Sequence, residues 1–367
     1  MGIRCMLMRG GTSKGAFFVA DDLPADPGER DDLLLRIVGS PDPRQIDGIG
    51  GAHPLTTKVA VVSRSERPGI DLDYLFLQPS VDQPVVSDAQ NCGNLLAAVG
   101  PFALERALIG DGPTDASAMS CRIFMVNTDS VVTASFPLLP DGRPDYAGRS
   151  TVVPPPLASI DGVPGTAAAI TLDFEDVAGG SCGSLLPTGN IVDVIDGVEC
   201  TLIDNGMPVV VLRASDLGVR GDESPAELEA NESLRARLES IRLQAGPLMH
   251  LGDVTTSSVP KLSLVSPPLG DGHLTTRTFI PHRCHDAIGV LGAVSVATAT
   301  LLPGSPAAAV ARLGADRATI VCEHPTGSFA ASVVAEVGEH GVVDVRRAGI
   351  VRTARKLMDD TVFPREY

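Results

Sequence analysis

Two apolar runs in this chain open on a lysine: "KVAVVS" from Lys58 and "KLSLVS" from Lys261. Short apolar stretches bounded by turn residues read as buried β-strands. Each is followed by a further strand, "DLDYLFLQ" from 71 and "LTTRTFI" from 274. Upstream, "FFVADDL" (17–23) resembles "VLRASDL" (211–217), each after a glycine-containing turn and before a helical segment. The first such helix is predicted over about Glu29 to Val38. The second opens at "SPAE", where Ser224 caps, Pro225 takes the first helical position and Glu227 completes a capping box. Leu234, Leu238 and Ile241 then follow at helical spacing.

Each half next reaches a cysteine at the start of an uncharged segment: Cys92 before "GNLLAAVGPFAL", and Cys284 and His285 before "DAIGVLGAVSVATATLL". A helix apolar on every face is a buried one, and Gly100-Pro101 is expected to kink or end the first. Any one of these matches could be chance similarity between apolar strands. The same four features in the same order point to duplication, with strands wrapped around a central helix in each half. The Gly/Ser/Pro-rich "GGSCGSLLPTGN" (179–190) places the boundary, giving halves 1–184 and 185–367. Whether "RTARKLMDDTVFPREY" at the C-terminal end returns to the first half stays open.

Composition narrows the function classes. Of 367 residues, 44% are hydrophobic and 20% charged, an ordinary soluble globular balance with length for two domains. "MGIRCMLMRGG" does not read as a signal peptide. The longest uncharged apolar stretch, Ala287 to Leu302, is shorter than the roughly 20 residues of a membrane span. Seven scattered cysteines without a CxxC pair fit reduced thiols and a cytoplasmic location. A formal charge of −16 argues against nucleic acid and means that an anionic ligand needs a locally positive pocket. "RGGTSKG" lacks the P-loop order and "DGIGGAH" the third glycine of a dinucleotide fingerprint, so no nucleotide cofactor is expected. "PHRCHD" offers His282, Cys284, His285 and Asp286, but in isolation from a second group at zinc-site spacing, so no metal is expected either.

Two positions carry chemistry. A helix N-terminus binds carboxylates and lowers the pKa of a thiol placed there, which gives Cys92 of "NCGN" a role if it heads a helix. The plainer alternative makes Asn91 an N-cap and Cys92 a small buried residue. Lys58 at a strand mouth either snorkels to solvent or faces a cleft, where desolvation favours the neutral amine and makes it a base. Bound carboxylates would act in the opposite sense. The chemistry suggested is proton abstraction beside a carboxylate or carbonyl.

"MRGGTSKGAFF", "GSPDPRQIDGIGGAHPLTTKVAVVS", "DYLFLQ", "NCGNLLAAVGPFALERALI", "LLPTGN", "TLIDNGMPVVVL", "PHRCHDAIGVLGAVSVATA" and "VRTARKLMDD" together resemble the PrpF family over nearly the whole chain. Within it they look most like the 4-oxalomesaconate isomerases (tautomerases) of bacterial gallate and protocatechuate degradation. The resemblance implies an α+β, diaminopimelate epimerase-like fold: two pseudo-symmetric halves, each a central helix wrapped by mostly antiparallel sheet, with a cleft between them. It implies a cofactor-independent isomerase acting on a small tricarboxylate, without nucleic acid or membrane partners, and compatible with a homodimer. Lys58 matches the catalytic lysine and Cys92 the active-site cysteine, with Gly93 and Asn94 offering amides to a carboxylate. The cleft-lining segment Arg9 to Gly15 brings Arg9, Thr12, Ser13 and Lys14, and Thr57 stands beside the lysine. Arg277, His282, Arg283, Cys284 and His285 are the candidates from the second half, and Lys261 is assigned a structural role. His53, Thr57 and His250 depart from the Asp, Ser and Asn expected at their positions and bear on substrate choice. A 2-methylaconitate isomerase, a two-base racemase using Cys92 and Cys284, and a non-catalytic polycarboxylate-binding protein are the competing readings.

Overall fold

Every second side chain of a β-strand points to the same face, and in the first half that alternation sorts the apolar residues between two helical layers. The computed structural model describes residues 2–88, 91–110, 116–150, 155–175, 177–314, 317, 319–338 and 343–366. The chain forms two compact units, Met1–Leu172 with Val351–Tyr367, and Asp173–Ile350. The principal strands of the first unit are β1 (Ile3–Gly10), β2 (Ser13–Val19), β3 (Lys58–Arg64), β4 (Leu72–Pro79), β5 (Ala118–Met125) and β6 (Ser130–Pro137). They pair in chain order, with β1–β2, β3–β4 and β5–β6 antiparallel and β2–β3 and β4–β5 parallel.

On one face, Ala16, Phe18, Val59, Val61 and Leu77 pack against Leu34, Ile37 and Val38 of helix α1 (Pro27–Val38). This helix starts where Asp26 accepts from the Glu29 amide, with Pro27 in its first turn, and stops at Gly39, whose φ of 85° suits a left-handed cap. Phe17 points the other way, its ring centroid 5.5 Å from that of Phe102. The opposite face therefore carries the central helix, which is two pieces, α2 (Gly93–Leu96) and α3 (Val99–Glu105). The interruption falls at Ala97–Ala98 rather than at Gly100-Pro101. Pro101 has no N–H for the Ala97 carbonyl, and its ring crowds that carbonyl; the disruption appears one turn before the proline itself.

The second unit repeats the order of strand senses. Its strands β7 (Val198–Asp204), β8 (Pro208–Arg213), β9 (Lys261–Ser266), β10 (Leu274–Phe279), β11 (Thr319–His324) and β12 (Gly327–Val337) pair antiparallel, parallel, antiparallel, parallel, antiparallel. Val210, Leu212, Leu262 and Leu264 pack with Leu228 of α4 (Pro225–Ala230) and with Leu234, Leu238 and Ile241 of α5 (Glu232–Leu248). The capping box at Ser224 and Glu227 forms as the sequence indicates. The predicted single helix is divided at Asn231, whose side chain accepts from the Leu234 amide and starts α5.

The central helix of this unit, α6 (Val290–Thr300), is buried from Gly292 to Thr300. Its N-cap is Gly289, so Cys284 and His285 do not head it. They lie in a tight turn, because Ile280 N bonds Arg283 O, His285 N bonds Thr278 O and His285 Nδ1 accepts from Ala287 N. Residues 173–184 belong to the second unit, whereas the sequence reading gave them to the first. The Ser181 and Cys182 amides donate to Asp204 Oδ2 at 2.8 and 2.9 Å, and Cys182 joins the second core. From Val351 the chain belongs to the first unit again. There β13 (Ala354–Val362) pairs antiparallel with β1, and Asp359 takes both Arg106 guanidinium nitrogens at 2.6 and 3.0 Å.

Among the described residues no helix is long and apolar enough to cross a membrane. The largest buried side chain is Arg242 of α5, which straps the segment before β9 by donating to the carbonyls of Val254, Ser257 and Val259 and to both oxygens of Glu239. Removing one member of such a group leaves the others buried and unpaired. Arg242→Met is therefore expected to speed hydrogen exchange along β9 by about 100-fold or more, the equivalent of about 3 kcal/mol. Unchanged exchange there would show that the strap holds without it.

Candidate active site

The direction of Lys58 follows from its neighbours. Val59 and Val61 pack toward α1, so Lys58 and Ala60 point to the face that carries the central helix. Lys58 is 8% exposed, and its parallel-strand partner is Gly15. A Cβ at Gly15 would stand 2.6 Å from the Lys58 carbonyl oxygen and 2.8 Å from Leu95 Cδ2. Only glycine lets β2, β3 and α2 close to this distance.

The ammonium-bearing end is held by β4. Antiparallel pairing of Val59 with Leu77 and Ala60 with Phe76 puts Gln78 opposite Lys58. Lys58 Nζ donates to Gln78 Oε1 at 2.8 Å and lies 4.9 Å from the Phe76 ring centroid. Gln78 Nε2 in turn donates to the carbonyls of Thr57 (2.7 Å), Pro79 (3.2 Å) and Pro54 (3.3 Å). Behind them the Thr57 hydroxyl donates to buried Gln45 Oε1 at 2.6 Å, which also accepts from Ala52 N. Gln45 Nε2 donates to Ser40 Oγ, and Ser40 to the Ser80 carbonyl. Two glycines of "GIGGAH" serve this network: a Cβ at Gly50 would come 2.2 Å from Gln45 Oε1, and Gly51 N donates to Thr57 Oγ1.

Cys92 is also 8% exposed and occupies the N-cap position of α2. Its amide donates to Asn91 Oδ1, and its carbonyl accepts from Leu96 N and Tyr74 Oη. The helix that it heads has four residues, too few for a strong dipole. Side chains supply the positive charge instead. Asn94 Nδ2 donates to Thr12 Oγ1 at 3.1 Å, and Asn94 Oδ1 accepts from Arg352 Nε at 3.2 Å. Arg352 is 5% exposed, and desolvation pushes its guanidinium down to about 10. Arg9 Nη1 donates to the carbonyls of Gly11 and Thr353 and to the Thr353 hydroxyl, while burial and then Arg355 lower its pKa. Gly11, with φ of 51°, passes so close to Asn94 that a Cβ there would fall 2.2 Å from Asn94 Oδ1. Ser13 Oγ is buried without a hydrogen-bond partner among the described residues. Lys14 is half-buried, and its amide donates to the Leu55 carbonyl.

The first unit thus joins the Arg9–Ser13 loop to Asn94 through Thr12, and Gly15 to Lys58 and Leu95. Sequence reasoning missed Gln78, Gln45 and Arg352. Gln78 was within reach, because counting back along the β3–β4 hairpin pairs it with Lys58; Arg352 stands in "VRTARKLMDD", whose path was open.

The second-unit candidates are held differently. Arg277 is buried, donates to the Glu223 and Thr276 carbonyls, and is lowered by desolvation. His282 and Arg283 are exposed, each 3.7 Å from an acid, Glu239 and Glu229 respectively. Burial pushes the Cys284 thiol up to about 11 against the opposing pull of Arg277, and its amide donates to Glu229. Lys261 Nζ donates to the Ser258 carbonyl, and the β9–β10 pairing begins one residue on, with Leu262 opposite Phe279, the last residue of β10. His53 Nδ1 accepts from Leu55 N, and His250, with φ of 59°, bonds the Cys182 carbonyl. Among the described residues no group of three or more His, Cys, Asp or Glu is placed to hold a metal.

Comparison with known proteins puts this arrangement in context. The chain is 58% identical over 361 residues to a (4E)-oxalomesaconate Delta-isomerase of Novosphingobium sp. strain KA1, covering 98% of this chain and 96% of that protein. It is 54% identical over 361 residues to a 4-oxalomesaconate tautomerase of Pseudomonas putida, covering 98% and 95%. The crystal structure of a methylitaconate-delta-isomerase superposes with a TM-score of 0.85 at 34% identity, covering 99% of this chain and 95% of that one. The fold is α+β and diaminopimelate epimerase-like, two similar units each built on a central helix. A family model described as PrpF protein matches residues 1–364. With that match and these relatives, the chain belongs to the PrpF family.

Proposed function

We propose that this protein is a cofactor-independent isomerase that moves a double bond in 4-oxalomesaconate by a 1,3-allylic proton shift. The observation that carries the reading is Lys58: a buried amine at a strand mouth, bonded to an uncharged amide rather than to a carboxylate. Such a lysine is free to act as a base once neutral. The names of the relatives 58% and 54% identical supply the substrate class.

In the proposed mechanism neutral Lys58 removes a proton from the CH2 between the keto group and the alkene, where conjugation stabilises the dienolate. The developing charge is held by the first-turn amides at Gly93 and Asn94 and by the Arg352 guanidinium beside Asn94. The proton returns at the distal allylic carbon, from Lys58 or through Cys92, so that no atom or electron is gained or lost overall. The Ser13 hydroxyl, without a partner among the described residues, and the Thr12 hydroxyl supply hydrogen bonds to substrate carboxylates. Cys284 lies in a turn rather than at the head of α6, and burial raises its thiol, so its surroundings do not favour a second thiolate base. Seven unpaired thiols support placing the activity in a reducing cytoplasm.

The direct test is proton NMR of 4-oxalomesaconate in D2O with purified enzyme, with 2-methylaconitate as the parallel sample. Loss of the CH2 signal, a new vinyl resonance and deuterium at the distal carbon are expected. Turnover of methylaconitate alone would reassign the substrate, and thermal stabilisation by polycarboxylates without proton exchange would make the protein a binding protein. Lys58→Ala should lower kcat by about 100-fold or more with folding intact; near-normal turnover would remove the lysine from the mechanism. Arg352→Lys keeps the charge but not the planar fork, and is expected to raise KM by about 10-fold or more. An unchanged KM would place the substrate carboxylates elsewhere.

A further inference from the structure

Gln78 stands opposite Lys58 on the neighbouring strand, and its amide can be oriented in only one way. Its nitrogen meets three carbonyl oxygens, those of Thr57, Pro79 and Pro54, so the NH2 group must point there. Its oxygen is then aimed at Lys58 Nζ, 2.8 Å away. A glutamate in this place would set a second oxygen against those carbonyls, and an aliphatic residue would leave both them and the amine unpaired. A glutamine satisfies both demands at once.

The other ionisable groups around Lys58 are committed elsewhere or stand apart. Lys14 flanks the β2 partner Gly15, Tyr74 of β4 bonds the Cys92 carbonyl, and His53 of the preceding loop bonds Leu55 N. The Cys92 thiol heads α2, Arg352 bonds Asn94, and Glu105 at the end of α3 and Arg106 just after it are paired with Lys356 and Asp359. Asp21 and Asp22 follow the far end of β2, where Val19 pairs with Val62. Among the described residues none of these forms an ion pair with Lys58. The duplicated unit provides a contrast: β10 ends at Phe279, the partner of Leu262, Ile280 turns away to bond Arg283 O, and Lys261 spends its ammonium on a main-chain carbonyl, Ser258 O. Both units keep the lysine, and the first pairs it with a side-chain amide.

We propose that Gln78 is the positioning residue of the proton-transferring lysine: Gln78 Oε1 takes one N–H of Lys58, leaves the single lone pair of the neutral amine directed away from that bond, and, being uncharged, orients the amine without fixing it as an ammonium. The inference rests on the isomerase reading for its catalytic meaning, but its physical content is tested without substrate. The chain has four lysines, Lys14, Lys58, Lys261 and Lys356, so lysine labelled with 13C at Cε gives few signals, and Lys58→Arg assigns the one that matters.

Titration midpoints of Lys58 are expected in the order Gln78→Met, wild type, Gln78→Glu, with steps of about one pH unit, because the ammonium loses a dipole in the first variant and gains a carboxylate in the last. The acid limb of kcat should move in the same order. In Gln78→Met, kcat should also fall by about 10-fold or more at pH values where the lysine is neutral, with KM changed less than about threefold. Midpoints that coincide, or that move in one direction in both variants, would overturn the proposal. So would a Gln78→Met enzyme with normal kcat, which keeps the test decisive if Gln78→Glu does not fold. Ordered midpoints in a protein that turns over neither acid would leave the inference standing and bring down the isomerase reading instead.

Discussion

An amine buried at the mouth of a β-strand must be given a hydrogen-bond acceptor by the protein, because water there is scarce and an unpaired polar group is costly. Much of the first unit answers that requirement at Lys58. β4 supplies Gln78 as the acceptor, three carbonyls orient Gln78, and Gln45 anchors the residue before the lysine. Gly15 removes the side chain that would otherwise hold β2, β3 and α2 apart. The backbone is bent to serve the same end: buried Gln45 adopts a left-handed φ of 47°, which a non-glycine residue takes at some cost. The return is a polar network that joins Ser40, Gln45, Thr57, Gln78 and Lys58 in one chain of hydrogen bonds, and such a network holds a side chain in one geometry better than apolar packing alone.

Duplication shows which parts of this arrangement come with the fold and which were added to one copy. Strand senses recur in both units, as does a lysine that opens the third strand beside a parallel neighbour, Gly15 for Lys58 and Val209 for Lys261. The environments then diverge. At Lys261 desolvation and Arg242 lower the pKa, and the ammonium is spent on the segment before β9, which Arg242 also straps. At Lys58 the partner is an amide set by side-chain contacts. A lysine at this position is a property of the scaffold, whereas its chemistry depends on the residue across the strand pair.

Periodicity made most of this fold legible. The two lysine-led strands, the Ser224 capping box, the buried α6 and the helix ending at Val38 all follow from short-range pattern. Where the pattern misled, a longer-range demand had prevailed. Cys284 was read as the head of a helix because the residues after it are uncharged, but Gly289 caps that helix, and the Phe279–Cys284 bridge closes a turn instead. The Gly/Ser/Pro-rich composition of 179–190 placed the boundary there and residues up to 184 in the first half, yet Asp204 reaches back to the Ser181 and Cys182 amides and draws the segment from 173 into the second unit. Arg352 is 258 residues from the asparagine that it contacts, and no local signal reports such a pairing.

That distant contact compensates for a local weakness. A central helix as long as α6 would offer its dipole to a bound anion, but in the first unit Pro101 interrupts the corresponding helix after four residues. The C-terminal segment then brings Arg352 to Asn94 and Thr353 to Arg9, placing guanidinium groups where the short helix falls short. The cost is visible in the lowered pKa of Arg352, whose charge is held against desolvation. A protein with a net charge of −16 repels anions at long range, so the polycarboxylate substrate proposed for it would need attraction at contact distance. Closing β13 onto β1 fixes the two residues just before that strand beside the loop and helix that carry Arg9, Thr12 and Asn94.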